Sequence, residues 1–211
     1  VGVRAPVKAW LETSLLDWPG KVAAVVFLPG CNFRCPFCHN HRLVTAPGEM
    51  PDIPLDDILT RLGDLAGWVD GVVVSGGEPT LHQGLPDLLR TFRAAGLLVK
   101  LDTNGSRPDV LARLLAEGLV DHVAMDVKAP LEPERYARLA GREVDLEAIR
   151  ASIRIIRSSG LPHTFRTTAV PGWHAPGDME SIAALLPGSA HLVQSFRPGE
   201  TLLPDLSLPP S

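Results

Sequence analysis

Every cysteine of the 211-residue chain falls in one tract, Cys31-Asn32-Phe33-Arg34-Cys35-Pro36-Phe37-Cys38, with the spacing Cys-x3-Cys-x2-Cys. Three thiolates on one short loop suit a soft or borderline metal. Were the occupant a four-iron cubane, three protein ligands would leave one iron open to another ligand. Zinc is the competing occupant, because Cys31, Cys35 and Cys38 with His39 or His41 would supply a Cys3His set. Gly30 and Pro36 mark the tract as a loop, which argues against three structural cysteines packed in a strand. The tract alone does not choose the metal.

Three further groups have chemistry to offer. In Ser75-Gly76-Gly77-Glu78-Pro79 two glycines remove side chains where a strand turns into a loop, so that backbone groups can approach a ligand, and Glu78 adds a carboxylate beside them. Asp102-Thr103-Asn104-Gly105 offers a carboxylate, a hydroxyl and an amide after a strand, residues that also make ordinary turns. Met125-Asp126-Val127-Lys128 holds an acid and a base two apart, which share a face if the extended geometry persists and otherwise form a surface ion pair.

The elements that must position these groups follow from the hydrophobic pattern. Residues 21–28 read as a buried strand bounded by Gly20 and Pro29, and residues 56–65 as a helix with apolar positions at Ile58, Leu59, Leu62 and Leu65. The alternation continues with strands over 71–74, 97–101, 122–125, 164–170 and 191–194, and helices over 85–95, 108–117, 145–158 and 178–186. Strand-then-helix repetition implies a parallel sheet with right-handed crossovers. Six such units fall short of the eight that close a full barrel, so the expected fold is α/β, a partial, open (β/α)6 barrel. Chemistry belongs at the carboxyl ends of its strands, and Cys31, Gly76, Asp102, Asp126 and Gln194 all follow strands. One domain is expected over 1–211, with a short N-terminal extension to about residue 20 and an extended, partly mobile Pro-rich tail over 198–211.

The cysteine tract, with Phe37 before its last cysteine, resembles the signature of the radical S-adenosylmethionine enzymes, and Ser75 to Pro79 resembles that family's second motif. The resemblance implies a [4Fe-4S] cluster on Cys31, Cys35 and Cys38, with the amino and carboxylate groups of S-adenosyl-L-methionine on the fourth iron. It also implies the open (β/α)6 barrel, and contact of the Gly76-Gly77-Glu78 segment with the methionyl amino group. Asp102-Thr103-Asn104-Gly105 and Asp126-x-Lys128 are similar to segments of the glycyl-radical-enzyme activases that lie around the ribose and methionyl parts of the cofactor. That likeness suggests a monovalent cation near Asp102, Thr103 and Asp126.

Thr13-Ser14-Leu15-Leu16-Asp17-Trp18-Pro19-Gly20, Cys38-His39-Asn40, Phe165-Arg166-Thr167-Thr168 and Val170-Pro171-Gly172 narrow the resemblance to the activating proteins of anaerobic ribonucleoside-triphosphate reductase, over about residues 8–204. The implied activity is reductive cleavage of S-adenosyl-L-methionine to a 5′-deoxyadenosyl radical that takes a hydrogen from a backbone glycine of the partner enzyme. A flavodoxin- or ferredoxin-type protein would donate the electron. Asp17 stands where an activase aspartate meets the partner's peptide, or simply forms a turn before Pro-Gly. Arg166 would bind a cofactor or substrate anion, or neutralise a buried acid. Two departures stand out: Gln194-Ser195-Phe196-Arg197 replaces a histidine that some activases carry after the last strand, and Trp18 replaces a smaller aromatic. Two rival readings are a small-molecule radical enzyme similar to 7-carboxy-7-deazaguanine synthase and a non-enzymatic zinc- or cluster-bearing interaction protein. His82, His122, His163, His174 and His191 are scattered and receive no role.

Composition bounds the partners. A formal charge of -4 gives no broad basic field, which disfavours nucleic acid or an anionic membrane. The longest apolar run, 22–29, is too short to cross a bilayer, and no charged-then-apolar leader opens the sequence. An odd number of cysteines in one tract is no secreted disulfide framework, so a reducing, cytoplasmic setting is expected.

Overall fold

In the computed structural model, which describes residues 5–203, Val- and Ala-rich segments make the strands and amphipathic segments the helices between them. The order is β1 (Ala9–Ser14), β2 (Ala23–Leu28), α1 (His41–Thr45), α2 (Leu55–Asp64), β3 (Gly71–Gly76), α3 (Leu85–Ala94), β4 (Leu98–Thr103) and α4 (Pro108–Ala116). It continues with β5 (His122–Asp126), α5 (Pro133–Ala140), α6 (Leu146–Ser158), β6 (His163–Ala169), α7 (Asp178–Ala184) and β7 (Ala190–Ser195). Local signals set the helix ends. Pro108 and Pro133 occupy the first turns of α4 and α5, where a missing N–H costs nothing. Asp145 caps α6 by accepting from the N–H groups of Glu147 (2.9 Å) and Ala148 (3.2 Å).

The seven strands form one sheet in sequence order, β1 antiparallel to β2 and β2 to β7 all parallel. Six parallel strands with helical crossovers in an unclosed sheet are the expected partial, open (β/α)6 barrel. Side-chain alternation splits each strand between two environments. Val72, Val74, Leu101, Met125 and Phe165 pack under the helices in the main core. The opposite parity, including Val25, Val73, Lys100 and Asp102, faces the interior of the curved sheet, where Trp18, Ala23, Val25 and Val73 make a small second core. The inner face is thus apolar on β2 and β3 and charged on β4 to β6.

The structure adds three elements to the sequence reading. Residues 9–14, expected within an N-terminal extension, form the antiparallel edge strand β1. α1 and α5 were not expected, and the second strand begins at Ala23 rather than at residue 21. Of the tail, residues 204–211 with Pro204, Pro209 and Pro210 lie outside the described residues. Residues 201–203 fold onto the cysteine loop: Leu202 N donates to Cys38 O (3.2 Å), Leu203 N donates to Pro36 O (2.9 Å), and Thr201 is buried.

Candidate active site

The cysteine loop leaves the carboxyl end of β2 and is fixed by backbone contacts on three sides. Gly30 N donates to Leu43 O of α1 (2.8 Å), and Gly30 O accepts from Glu78 N (2.8 Å). Arg34 N donates to Ala140 O (2.8 Å) at the end of α5, where Gly141 turns left-handed with φ 70°. A β-carbon on Gly141 would stand 1.9 Å from Arg34 O, so only glycine lets α5 abut the loop. Phe33 adds an edge-on contact to Tyr136 of α5, ring centroids 6.5 Å apart.

The second motif supports the same loop. Gly76 has φ +113°, and added β-carbons on Gly76 and Gly77 would fall 2.3 Å from Leu28 O and 1.8 Å from Gly30 O. These glycines therefore admit the backbone of the cysteine loop. Glu78 is completely buried and does not line the cavity described below. Its Oε1 accepts from Thr80 N (3.1 Å), Thr80 Oγ1 (2.5 Å) and Thr103 Oγ1 (2.8 Å), and its Oε2 from Asn104 N (2.6 Å). Burial raises its pKa, and these four donors oppose the shift. Here Glu78 ties the β3 and β4 loops together.

These loops enclose a cavity of about 440 Å³. Cys31, Cys35, Cys38 and Phe37 line one wall, Gly76 and Gly77 another, and Asp102, Thr103, Asn104, Asp126, Lys128 and Arg166 the strand ends opposite, with Asp17 also on the lining. Of the residues singled out from the sequence for this site, only Glu78 stands off it. Asp126 and Lys128 do share a face, and their ion pair (2.9 Å) sits in the cavity rather than on the outer surface. Arg166 bridges both acids, Nε donating to Asp126 Oδ1 (2.8 Å) and Nη1 to Asp102 Oδ2 (3.1 Å). Desolvation would push the Asp126 carboxyl up, but Arg166 and Lys128 hold it well below the usual carboxylate range. Asp126 in turn keeps Lys128 charged, and Asp102 with Asp126 keeps Arg166 charged, against a desolvation that disfavours both cations.

Burial pushes all three thiols up, Cys35 to about 12, with the Lys128 charge pulling each the other way. As free side chains they keep their protons at neutral pH, so a metal must displace them as it binds. Phe33 N points at Cys31 Sγ (3.3 Å), and Asn104 Nδ2 lies 3.8 Å from the same sulfur, donors suited to a thiolate. Among the described residues no three Cys, His, Asp or Glu side chains converge as a finished metal-binding set. Of the two candidate fourth zinc ligands, His39 lines the cavity but pairs its Nε2 with Arg197 O (2.9 Å) and stacks its ring on Phe196, and His41, the first residue of α1, is not on the lining. Asp102 Oδ1 is buried without a hydrogen-bond partner, a position that a ligand hydroxyl or a cation would satisfy. Three sulfurs, an orphaned oxygen and a roomy polar cavity fit a cluster with an organic co-ligand.

Several contributors were missed in the sequence. Lys100, inside the barrel on β4, donates to Asp17 O and stands 3.6 Å from Asp102 Oδ1. Its signal was visible as the one charge in Leu97-Leu98-Val99-Lys100-Leu101. Ser75 Oγ donates to Asp102 Oδ2 (3.1 Å), and Asn40 Nδ2 to Gly76 O (2.8 Å). Phe27, Phe33 and Thr168 also line the cavity, as does Gln194 of β7.

An open parallel barrel whose first parallel strand ends in a three-cysteine loop, facing a charged cavity at the strand ends, defines a cofactor-dependent enzyme with its metal at one wall. Residues 25–186 match the Radical SAM superfamily, and the chain belongs to it. That membership implies a [4Fe-4S] cluster and S-adenosyl-L-methionine as cofactors. A Methanocaldococcus jannaschii protein, named provisionally as a glycyl-radical enzyme activating enzyme, is 33% identical over 202 residues, 93% of this chain and 82% of that protein. A PqqA peptide cyclase of Xanthomonas axonopodis pv. citri is 32% identical over 152 residues, 67% of this chain and 40% of that enzyme. The solved structure of TYW1 with a lysine-pyruvate adduct shares the fold, with a TM-score of 0.61 at 19% identity over 83% of this chain and 65% of that one.

Proposed function

We propose that this chain is the activating enzyme of a glycyl-radical enzyme, with anaerobic ribonucleoside-triphosphate reductase as the foremost candidate partner. The observation that carries this reading is the extent of the likeness to the activating-enzyme relative, which runs over 93% of the chain and so takes in the Asp17 loop as well as the cavity. Exposed Leu15 and Leu16 immediately precede Asp17, an apolar rim that suits a polypeptide partner.

In this reading Cys31, Cys35 and Cys38 hold the cluster, and Asn104 donates toward Cys31. When bound, the cluster and S-adenosyl-L-methionine supply one-electron cleavage of the sulfonium to methionine and a 5′-deoxyadenosyl radical, with a flavodoxin- or ferredoxin-type protein as the electron source. Lys128 and Arg166 present positive charge to the methionyl carboxylate while staying anchored on Asp126 and Asp102. Asp102 Oδ1, with Thr103 beside it, accepts from a ribose hydroxyl or binds the monovalent cation that the resemblance implies near Asp126. Phe27, Phe33 and Phe37 keep the apolar side of the cavity dry, which limits stray hydrogen donors. Asp17 meets the partner's glycine loop.

The test is to mix reduced, reconstituted protein with S-adenosyl-L-methionine and the candidate reductase and to look by electron paramagnetic resonance for a glycyl doublet. Cleavage without a doublet would remove the proposed target while leaving the cofactor chemistry. Cys35→Ala should abolish cleavage, whereas Asp17→Ala should spare uncoupled cleavage and weaken partner activation; equal loss in both would refute the division of roles.

A further inference from the structure

Lys100 is the buried charge for which the chemistry above has no use. It lies on the inner face of β4, one alternation below Asp102, and only 4% of its surface is exposed. Its ammonium meets two acceptors of different kinds, the main-chain carbonyl of Asp17 and the otherwise unpartnered Asp102 Oδ1 at 3.6 Å. Those acceptors belong to segments far apart in sequence. Asp17 sits in the loop between β1 and β2, at the end of the barrel opposite the cysteine loop, and Asp102 is the penultimate residue of β4.

The loop has few other ties. Ser14 Oγ donates to Asp17 Oδ2 (2.5 Å) and accepts from Leu16 N (3.1 Å) and Asp17 N (3.2 Å), a local turn that does not attach the loop to the barrel. At its far end the loop is held by Asp70, whose side chain accepts from Val22 N (2.8 Å) and whose own N–H donates to Val22 O (2.8 Å). Nearer Asp17, attachment comes from Trp18, buried against Gly71 and tilted over His122 with ring centroids 5.9 Å apart, and from Lys100. Leu15 and Leu16 stand out from the surface at 73% and 90% exposure. A lysine with its head between this loop and Asp102 continues a chain of charges that runs through Arg166, Asp126 and Lys128 to the ring of Phe37, 5.9 Å from Lys128 Nζ.

We propose that Lys100 is a positioning residue that pins the Asp17 loop to the barrel interior, setting how deep Asp17 stands in the cavity and holding Asp102 toward it. The inference deepens the functional reading above, in which Asp17 faces the partner and Asp102 the cofactor. A lysine that merely neutralised Asp102 would have no need of the Asp17 carbonyl, and this difference makes the two roles separable.

The experiment is hydrogen exchange by mass spectrometry on reconstituted wild type, Lys100→Met and the double variant Lys100→Met/Asp102→Asn. In both variants the amides of Leu16, Asp17 and Lys21 should exchange ~10-fold faster, the loss expected for one hydrogen bond, while the β2 and β3 amides keep their protection. Lys100→Arg, which keeps a charged donor, should restore most of it. The double variant removes the buried carboxylate along with its counter-charge, so it carries the test if Lys100→Met is too unstable to measure. Restored loop protection in the double variant would overturn the proposal and leave Lys100 as the counter-charge of Asp102. Equal loss of protection across the whole sheet, or failure of both variants to fold, would also overturn it by making Lys100 a general core residue. The readout involves neither cleavage nor a partner, so a wrong partner assignment would leave the result standing.

Discussion

Gly77→Ala tests whether the second motif acts by supporting the cysteine loop. A β-carbon at this position would lie 1.8 Å from Gly30 O, and contacts below 3.0 Å are essentially never seen, so about 1.2 Å of backbone movement is required. The clash is with main chain and no rotamer change relieves it. The movement acts on Gly77 N to Leu28 O and Glu78 N to Gly30 O, both 2.8 Å, and on Cys31 immediately after Gly30. Two hydrogen bonds at about 1 kcal/mol each plus a comparable overpacking cost give a loss of about 3 to 4 kcal/mol. With a urea m-value of about 2 kcal/mol/M, the midpoint should fall by roughly 1.5 to 2 M. Because Cys31 moves with Gly30, iron bound after anaerobic reconstitution should drop as well. Gly96→Ala is the control: Gly96 has φ +81° but open space around its missing β-carbon, so only the left-handed backbone penalises it, by about 1 to 2 kcal/mol. If Gly77→Ala lost no more stability than Gly96→Ala and kept its full iron, the glycines would not be there for the cysteine loop.

Two further outcomes follow from the charged interior. Burial, together with the Lys100 charge, lowers the His122 pKa to about 4, against about 6.5 when unfolded. Between these values the unfolded chain binds the extra proton, so stability should fall as pH drops from 6.5 to 4. His122 is only half buried, and solvent screening reduces its share to about 1 to 2 kcal/mol. In His122→Asn the urea midpoint should vary less over that window, and an unchanged slope would refute the assignment. Arg166→Met removes the group bridging Asp102 and Asp126 while Lys100 and Lys128 remain. The expected loss is about 2 to 3 kcal/mol, largely recovered by adding Asp102→Asn; a double variant no more stable than the single one would show that the bridge to Asp102 is not the source.

The parallel sheet was legible because its strands are short apolar runs bounded by Gly, Pro and Asp, and because helical spacing recurs between them. β1 was not, since Ala9-Trp10-Leu11-Glu12-Thr13-Ser14 is an edge strand with no fully buried side chain, and its pairing with β2 is a long-range fact. α5 was missed although it carries a start and a stop signal, Pro133 as its first residue and the left-handed Gly141 just past its end. The site was legible wherever a polar residue follows a strand. The sequence could not reveal that Glu78 turns inward, because donors from Thr80, Thr103 and Asn104 surround it only after β3 and β4 are adjacent. Lys100 was hidden for a related reason: a charge in an apolar run is read as a strand fault until the interior of the sheet is known to be polar on that side.

Charge balance explains why that side is polar. On the strand-end wall the cations Lys128 and Arg166 pair with Asp102 and Asp126, and Lys100 stands behind Asp102, so the wall is a set of fixed, paired charges. In water such charges would be strongly screened, whereas in a cavity walled on its other side by Phe27, Phe33 and Phe37 they are screened less. The cysteine loop is the first recipient, since the Lys128 charge opposes the burial that otherwise keeps all three thiols protonated. A ligand bringing a carboxylate is the second. The paired acids keep each cation at a fixed place, so that an incoming anion meets positioned donors instead of mobile side chains that would first have to be ordered. Acid and base pairs on β4 to β6 thus hold cationic donors at fixed places beside a metal loop whose thiols burial keeps protonated.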